Sequence, residues 1–482
     1  MGEKAVEPKL YLSFSLDAAV PRDHIVRRLA DALDLSFVRA LTRPYYSGTG
    51  RPSVDPLVLF KLSLLGYLFN ITSERRVCEE AGLNLAWRWF LGYELDEPIP
   101  DHSVLSKARK RFGPTVYERF FKRVVAVCEQ RGLVQGDVLF VDATLSKANA
   151  SEKSFRSRAL TQELSPPATF VAELWAANDD EPSEESPPPR EKRKGGRPPK
   201  RDAKWRQGKG ITNSLSVSRT DPDAQMFHKF GQPALLSHKT HFGVDGGKAG
   251  VITTVEVGPS CEADSQVVGK MLDKHAAAVG RPVRELVGDR GYGSEAAQRA
   301  CAARGVTGTL GMRTLANRHG PINRDRFSYD PNRDIFVCPN GQELNRFGEN
   351  FQQRVSMYRA PRGTCRTCPL KPECAPGVAD RSITRRWDTE LWDAWASHMQ
   401  SRHARRMMRR RQEVSECAFA DGKEKHGLAR AQFRGRRKMR IQAVLTAAAM
   451  NLKKLAKWGP MVQTGVAGAL PSACPQAARA MT

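Results

Sequence analysis

Two short apolar runs of the sequence each lead into an aspartate, and this pattern suggests metal-dependent chemistry. Asp142 follows the run 138–141, and Asp289 ends the segment LVGD. Two carboxylates that meet beyond the ends of neighbouring strands repel each other, and a divalent cation relieves that repulsion. Two such ions about 3.5–4 Å apart stabilise the attacking and leaving oxygens of phosphoryl transfer. The alternative is a pair of unrelated strand-end aspartates.

A third carboxylate is expected on a helix near the C-terminal end of the chain. The candidates are Glu413 and Glu416, in the segment RRQEVSECAFADGKEKHGL. Residues 401–440 hold 14 Lys and Arg against 4 acids. In so basic a helix, a surface acid can also do no more than pair with its neighbours.

Four of the ten cysteines have the spacing of a zinc site. One C-x-x-C pair has a further cysteine on each side, and thiolates bind zinc tetrahedrally at about 2.3 Å. Four thiolates leave no open coordination position, so such a site is structural. The alternative is a set of reduced thiols without metal. The four cysteines are Cys338, Cys365, Cys368 and Cys374.

The charge balance points to a polyanionic partner. Lys and Arg total 77 against 52 acids, which gives a formal charge of +25 in 482 residues. Such an excess is typical of proteins that bind nucleic acid. No run of 18 uncharged apolar residues occurs, so we expect no membrane segment. These features favour a cytoplasmic, nucleoid-associated protein.

Periodicity divides the first part of the chain into a helical and an α/β region. Apolar residues recur at helical spacing through residues 1–135, which predicts a helical DNA-binding domain. Strands and helices follow in residues 136–317, with the hairpin HKTHFGVDGGKAGVITTVEVG, and predict the first part of an α/β core. Residues 151–215 interrupt this core with a Pro-rich and basic segment that we expect to be disordered. Arg197 lies there in a Gly-Arg-Pro sequence similar to a minor-groove hook, although a solvated linker is the alternative.

The remaining chain divides into three segments. Residues 318–385 form a cysteine-bearing insertion, predicted as a zinc knuckle. Residues 386–458 are helical and basic, and they carry the third carboxylate in the C-terminal part of the core. Residues 459–482 are expected to be a flexible tail.

Three motifs together resemble bacterial insertion-sequence transposases of the DDE type. They are FVDATLSKANA, VGDRGYGS, and SECAFADGKEKHGL with its continuation to the Asn-Leu pair at 451–452. In that family a Glu precedes a Phe by three residues and a Lys by seven, as Glu416 precedes Phe419 and Lys423 here. Ala420 follows Phe419 where a Gly is commoner. The resemblance extends over residues 10–458.

The resemblance implies an α/β RNase H-like catalytic core split by insertions, with an all-α N-terminal domain. It implies Asp142, Asp289 and Glu416 as the catalytic triad, with Glu413 as the alternative third member. Two Mg²⁺ or Mn²⁺ ions would be held by this triad. The implied activity is binding of the element's terminal inverted repeats, DNA cleavage and transfer of 3′-hydroxyl ends to target DNA. A homodimer or higher synaptic oligomer is implied as well.

Several basic residues are candidates for contacts with DNA phosphates, with ordinary surface charge as the alternative. Two other functions stay open: a host nuclease or resolvase with the same core, and a non-catalytic DNA-binding protein derived from a transposase. The candidates are Lys423, Arg290, Arg434, Arg436 and Arg437.

Overall fold

The computed structural model describes residues 14–157, 213–312 and 322–463, apart from 48, 50–52, 214–215, 229–230, 232, 323 and 352–353. Most of the predicted insertion, including Arg197, and most of the predicted tail lie outside the described residues. The chain separates into two compact units. The first unit comprises residues 1–286 and 410–482, and the second comprises residues 287–409.

Helices dominate the N-terminal part of the first unit, as the periodicity predicts. Side-chain caps begin several of them: Asp55 accepts a hydrogen bond from Leu57 N at 2.9 Å, and Asn84 accepts one from Trp87 N at 3.1 Å. The helices are α1 Leu16–Ala19, α2 Ile25–Ala32, α3 Phe37–Thr42, α4 Pro56–Leu68, α5 Glu74–Leu83, α6 Leu85–Leu91 and α7 Ser103–Gln130.

Helix α7 is kinked at Gly113 and Pro114. Gly113 has φ 62° and ψ 179°, which interrupts the helical backbone before Pro114. The sequence pattern predicts one helix on either side of this point, and the structure has two helical segments there, separated by the non-helical Gly113. A proline removes one helical hydrogen bond and crowds the preceding turn. The helix therefore bends at the position where the helical pattern of the sequence is interrupted.

Antiparallel strands form the sheet of the first unit. Strand β5 lies between β1 and β6 and also pairs with the short β4. The Gly-Gly turn predicted between β5 and β6 is present, at Gly246 and Gly247. The bounds are β1 Val138–Lys147, β4 Gln225–Phe227, β5 Leu235–Asp245 and β6 Ile252–Pro259, with β2 Phe155–Ser157 and β3 Ser216–Ser218 as a separate pair.

Three further helices complete the first unit. Helix α8 is Val268–Val279, α12 is Arg402–Lys425, whose first residues belong to the second unit, and α13 is Arg436–Gln463. Helix α13 shares one hydrophobic core with α2, α4, α7 and β6. The buried Asn451 on α13 accepts a hydrogen bond from Ile252 N at 2.9 Å and donates one to Ile252 O at 2.7 Å. The Asn of the Asn-Leu pair therefore fastens α13 to the start of β6.

The second unit contains a five-stranded antiparallel sheet in the order β13-β12-β11-β10-β9. Strand β7 crosses the boundary between the units after Leu286, and Gly311 N, just beyond β8, donates to Gly288 O at 3.0 Å. The bounds are β7 Glu285–Gly288, β8 Thr307–Leu310, β9 Ser328–Asp330, β10 Ile335–Val337, β11 Glu343–Asn350, β12 Val355–Arg359 and β13 Ser382–Arg386. The helices are α9 Glu295–Ala302, α10 Lys371–Cys374 and α11 Thr389–Gln400.

The chain is thus a mixed α/β protein with a helical N-terminal region, as predicted. The RNase H-like core and the zinc knuckle remain predictions. In the described part of the chain, no helix is long and apolar enough to cross a membrane.

Candidate active site and nucleic-acid interface

Asp142 lies in the middle of β1, opposite Phe242 of β5. The prediction that it ends a strand is wrong, because β1 continues to Lys147. Residues 143–147 stay extended because β5 is long enough to pair with all of them. Asp142 therefore projects from the face of the sheet beside Phe242.

Backbone and side-chain donors hold the carboxylate of Asp142. Oδ1 accepts a hydrogen bond from Ala143 N at 2.8 Å, and Oδ2 accepts one from Arg411 Nη1 at 2.8 Å. The Asp142 side chain is 21% exposed and the Arg411 side chain 14%. Asp142 is thus half-buried and has a cationic partner on α12, a contact that the sequence analysis did not foresee.

Helix α12 packs on the same face of the sheet through an aromatic pair. The rings of Phe419 and Phe242 stack with centroids 4.9 Å apart and planes 6° apart. Ser415, one turn before Phe419, is also buried, whereas Glu413 and Glu416 are exposed. The strand that pairs with Asp142 therefore anchors the helix that carries both candidate carboxylates.

Helical geometry distinguishes the two glutamates. At about 100° per residue, Glu416 lies about 60° around the helix from Phe419, and Glu413 lies about 120° away. Lys423 follows Glu416 by seven residues, close to two turns, so both lie on one side of α12. Lys423 is exposed. Glu416 is thus the candidate closer to Phe419 around the helix, with Lys423 on its side of the helix.

In the second unit, Asp289 directly follows β7, as predicted. Its Oδ1 accepts a hydrogen bond from Gly291 N at 2.8 Å, which closes a tight turn. A Cβ added to Gly293 would stand 1.8 Å from Gly311 O, so the turn is pressed against the backbone after β8. Arg290 is exposed. This close approach explains why the last residue of the DRGYG motif, Gly293, is a glycine.

The four predicted zinc-binding cysteines line one small cavity of the second unit, with a volume of about 20 Å³. Two backbone amides point at sulfur atoms: Gln342 N lies 3.3 Å from Cys338 Sγ, and Arg381 N lies 3.4 Å from Cys365 Sγ. Burial raises the pKa of the Cys374 thiol; the charge of Arg381 opposes this rise, and the other three cysteines of the cavity add to it. The four residues thus converge from three separate segments of the chain.

No group of three or more His, Cys, Asp and Glu side chains is gathered closely enough to hold a metal ion anywhere in the described ranges. The four thiols of the cysteine cavity line the same cavity, but they do not lie as close together as the ligands of a bound ion. The chemistry of both donor sets nevertheless fits the predicted ions. Carboxylate oxygens suit Mg²⁺ or Mn²⁺, and four thiolates suit Zn²⁺.

A cluster of cations lies where α7 meets the start of α13; we call it the α7–α13 basic patch, formed by Lys110, Arg434, Arg437 and Lys438. Lys110, Arg434 and Lys438 are exposed. Burial lowers the pKa of Lys438, and the charges of Arg109, Lys110 and Arg434 lower it further. Arg437 Nη2 lies 3.1 Å from the position of a Cβ on Gly113, so its guanidinium sits at the kink of α7.

Arg436 begins α13 beside this patch. Arg436 N donates to Asp223 Oδ2 at 2.9 Å, and the residue is exposed. The predicted DNA contacts Arg436 and Arg437 are thus followed directly by Lys438 in the first turn of α13, with Arg434 two residues before that helix, and the fold adds Lys110 from α7. Sequence analysis grouped the three arginines and missed Lys110, which is more than 300 residues away in the chain.

Two polar residues of the β5–β6 hairpin have structural roles. Asp245 is fully buried and accepts hydrogen bonds from the backbone nitrogens of Gln135, Gly136 and Gly247, at 2.7–2.9 Å. Burial and the nearby charge of Lys239 lower the pKa of the buried His241 to about 3. His241 is therefore neutral at physiological pH.

Comparison with known proteins finds transposase domains near both ends of the chain. Residues 14–111 match the family described as "Transposase domain", and residues 337–456 match the family described as "Transposase DDE domain". These matches confirm the prediction of a DDE-type transposase. The second match contains Glu416, Lys423 and the four cavity cysteines, whereas Asp142 and Asp289 lie outside both matches.

No curated protein matches the chain at a significant level. Among solved structures, the chain is similar to a piggyBac transposase in a synaptic complex with hairpin DNA. That similarity covers 94% of this chain and 76% of the other, with 9% sequence identity and a TM-score of 0.34.

Proposed function

We propose that the chain binds the terminal inverted repeats of its own bacterial insertion sequence, cleaves DNA there and joins the 3′-hydroxyl ends to target DNA. The observation that carries this proposal is the packing of α12 on the sheet face that presents Asp142. Phe419 anchors the helix beside the strand that pairs with Asp142, and Glu416 and Lys423 extend along one side of that helix.

Asp142, Asp289 and Glu416 would hold two divalent ions, with Glu413 as the alternative third ligand. When bound, such ions convert water or a 3′-hydroxyl into a nucleophile and stabilise the leaving oxygen. Lys423 lies on the side of α12 that carries Glu416, where its ammonium can neutralise a phosphate. Arg290, next to Asp289, is a second candidate for such a contact. The chain's own contribution is then positioning and charge neutralisation.

DNA would be held first by the α7–α13 basic patch and by Arg436. The cations of the α7–α13 basic patch come from helix α7 and from the start of helix α13. A DNA duplex bound there would therefore contact both the N-terminal and the C-terminal parts of the first unit. Phosphate contacts supply most of the sequence-independent affinity and make it depend on salt. The resemblance to DDE transposases implies a homodimer or a higher synaptic oligomer, in which two copies of the chain would bring two ends of the element together.

The cysteine cavity would hold one structural zinc ion. Backbone N–H groups directed at Cys338 and Cys365 stabilise thiolates, and a zinc ion would hold all four residues in the deprotonated state. In the absence of an open coordination position, zinc would stabilise the fold of the second unit and take no part in cleavage.

Two measurements test this proposal. In the first, DNA binding is measured as a function of salt with end-containing DNA. Replacing Lys110 and Lys438 together by Gln should reduce the slope of log affinity against log salt by about 2. A matched double variant at the exposed Lys153 and Lys248 should leave the slope unchanged. Equal slopes for both double variants would place the DNA elsewhere.

In the second measurement, strand cleavage and binding are compared for Asp142→Asn. This variant should lose cleavage and keep its affinity for DNA. A variant that still cleaves would favour a different catalytic centre. A wild-type protein that binds ends tightly and never cleaves with Mg²⁺ or Mn²⁺ would favour a DNA-binding descendant of a transposase, and cleavage without end joining would favour a nuclease or resolvase.

A further inference from the structure

Arg411 contacts the carboxylate of Asp142, which is one of the three proposed metal ligands. Arg411 Nη1 lies 2.8 Å from Asp142 Oδ2, and both side chains are mostly buried, at 14% and 21% exposure. The two residues are 269 positions apart in the chain, so the fold brings them together. One of the two carboxylate oxygens is thus engaged by a fixed positive charge.

This guanidinium is incompletely satisfied. Arg411 Nε is buried and has no hydrogen-bond partner within the described ranges. Arg109, in contrast, uses two nitrogens to bind both oxygens of Glu74, and its guanidinium stacks 3.9 Å from the ring centre of Phe433. A buried N–H without a partner costs free energy. We therefore expect the ion pair of Arg411 with Asp142 to be weaker than the two-point ion pair of Arg109 with Glu74.

A guanidinium and a divalent cation compete for the same carboxylate. Ligation of an ion by Asp142 would place two cations side by side in a half-buried site, where their repulsion is only partly screened. We propose that Arg411 is a positioning residue that neutralises Asp142 in the metal-free protein and must release it when a divalent ion binds. This inference rests on the proposed function, because it takes Asp142 as a metal ligand.

Part of the binding free energy of the first ion is therefore used to break an existing ion pair. Loss of the Arg411 charge should make metal binding tighter, even though it removes a favourable contact from the folded protein. A purely structural arginine predicts the reverse pattern: lower stability and unchanged metal affinity. The two roles thus predict different effects on metal affinity, which can be measured without DNA and without turnover.

The experiment is a Mn²⁺ titration of the full-length chain without DNA, with free Mn²⁺ followed by electron paramagnetic resonance. Arg411→Gln should bind Mn²⁺ about tenfold tighter than wild type, which corresponds to about 1.4 kcal/mol. The matched control is Arg409→Gln, an exposed position on the same helix with the same change of charge, and it should stay within about twofold of wild type. Unchanged or weaker binding by folded Arg411→Gln would overturn the inference.

A second variant and a double variant complete the test. Arg411→Lys keeps the charge and loses the fork geometry, so it should fold and bind Mn²⁺ with an affinity between those of wild type and Arg411→Gln. An affinity for Arg411→Lys outside that interval would also overturn the inference. Asp142→Asn should abolish the gain in the double variant. If Asp142→Asn alone leaves Mn²⁺ binding intact, Asp142 is not a metal ligand and the proposed function fails first.

Discussion

The stacked rings of Phe242 and Phe419 should be energetically coupled, because they join the sheet to the helix that carries Glu416. Phe242 is fully buried and Phe419 is 8% exposed, with ring centroids 4.9 Å apart. Deletion of either ring by alanine should lower the free energy of unfolding by about 3–5 kcal/mol. The contact between the rings should contribute about 0.5–1.5 kcal/mol of that loss.

A double-mutant cycle with leucine isolates this contact, because leucine keeps much of the apolar volume and removes the ring. The free energy of unfolding in urea is measured for Phe242→Leu, Phe419→Leu and the double variant. We expect a coupling energy of about 0.5–1.5 kcal/mol. Losses that add to within about 0.3 kcal/mol would show that the rings do not interact.

The same variants test whether the contact matters for the site. Phe120 is fully buried in α7 and stacks on Phe37, so Phe120→Leu serves as a control for loss of a core ring. At a temperature well below both melting transitions, Phe419→Leu should slow DNA cleavage because α12 is no longer held in place. Phe120→Leu should not. Equal rates for the two variants would refute the idea that Phe419 positions the catalytic helix.

Three other predictions concern the third carboxylate, the cysteines and pH. Glu416→Gln should reduce the rate of strand cleavage at least about a hundredfold, because it removes a metal ligand, whereas Glu413→Gln should have little effect. Metal analysis of the purified chain should find about one zinc ion, and Cys374→Ser should lose it together with thermal stability. Stability to urea should fall between about pH 6.5 and 5, because burial lowers the pKa of His241 to about 3 and that of His275 to about 4. Only the unfolded chain takes up these protons, which costs about 2 kcal/mol for each histidine at pH 5, and His241→Gln should remove about half of the fall.

Each of these predictions has a contrary outcome. A larger loss for Glu413→Gln than for Glu416→Gln would move the third ligand to Glu413. A chain that is folded without zinc and is unaffected by a chelator would contradict the predicted zinc knuckle. Stability that stays constant from pH 7 to 5 would mean that the two histidines take up protons as readily in the folded protein as in the unfolded chain.

The helical N-terminal region, the β5–β6 hairpin and the turn after Asp289 were predictable because each depends on local sequence. Helical periodicity and the Gly-Gly turn act over a few residues. The break in α7 was also predictable, since Gly113 and Pro114 separate two segments that each have helical periodicity. The extent of β1 was not predictable, because it depends on the length of β5, in which Phe242 is 100 residues from its partner Asp142.

The contacts around the candidate site come from distant parts of the chain. Arg411 appears in the sequence as one of several consecutive arginines, and nothing local distinguishes the one that binds Asp142. Lys110 joins Arg434 and Lys438 only because α7 and α13 pack together. Composition predicted a basic nucleic-acid-binding surface, and tertiary packing decided which cations share it.

Strand cleavage tests the central claim most directly. Labelled DNA carrying the ends that flank the gene is incubated with Mg²⁺ or Mn²⁺ and with wild type, Asp289→Asn or the exposed control Asp393→Asn of the same unit. The account predicts nicks at the element boundary with wild type and Asp393→Asn, and none with Asp289→Asn. Boundary nicks that persist in Asp289→Asn would contradict the assignment of Asp289 to the catalytic site.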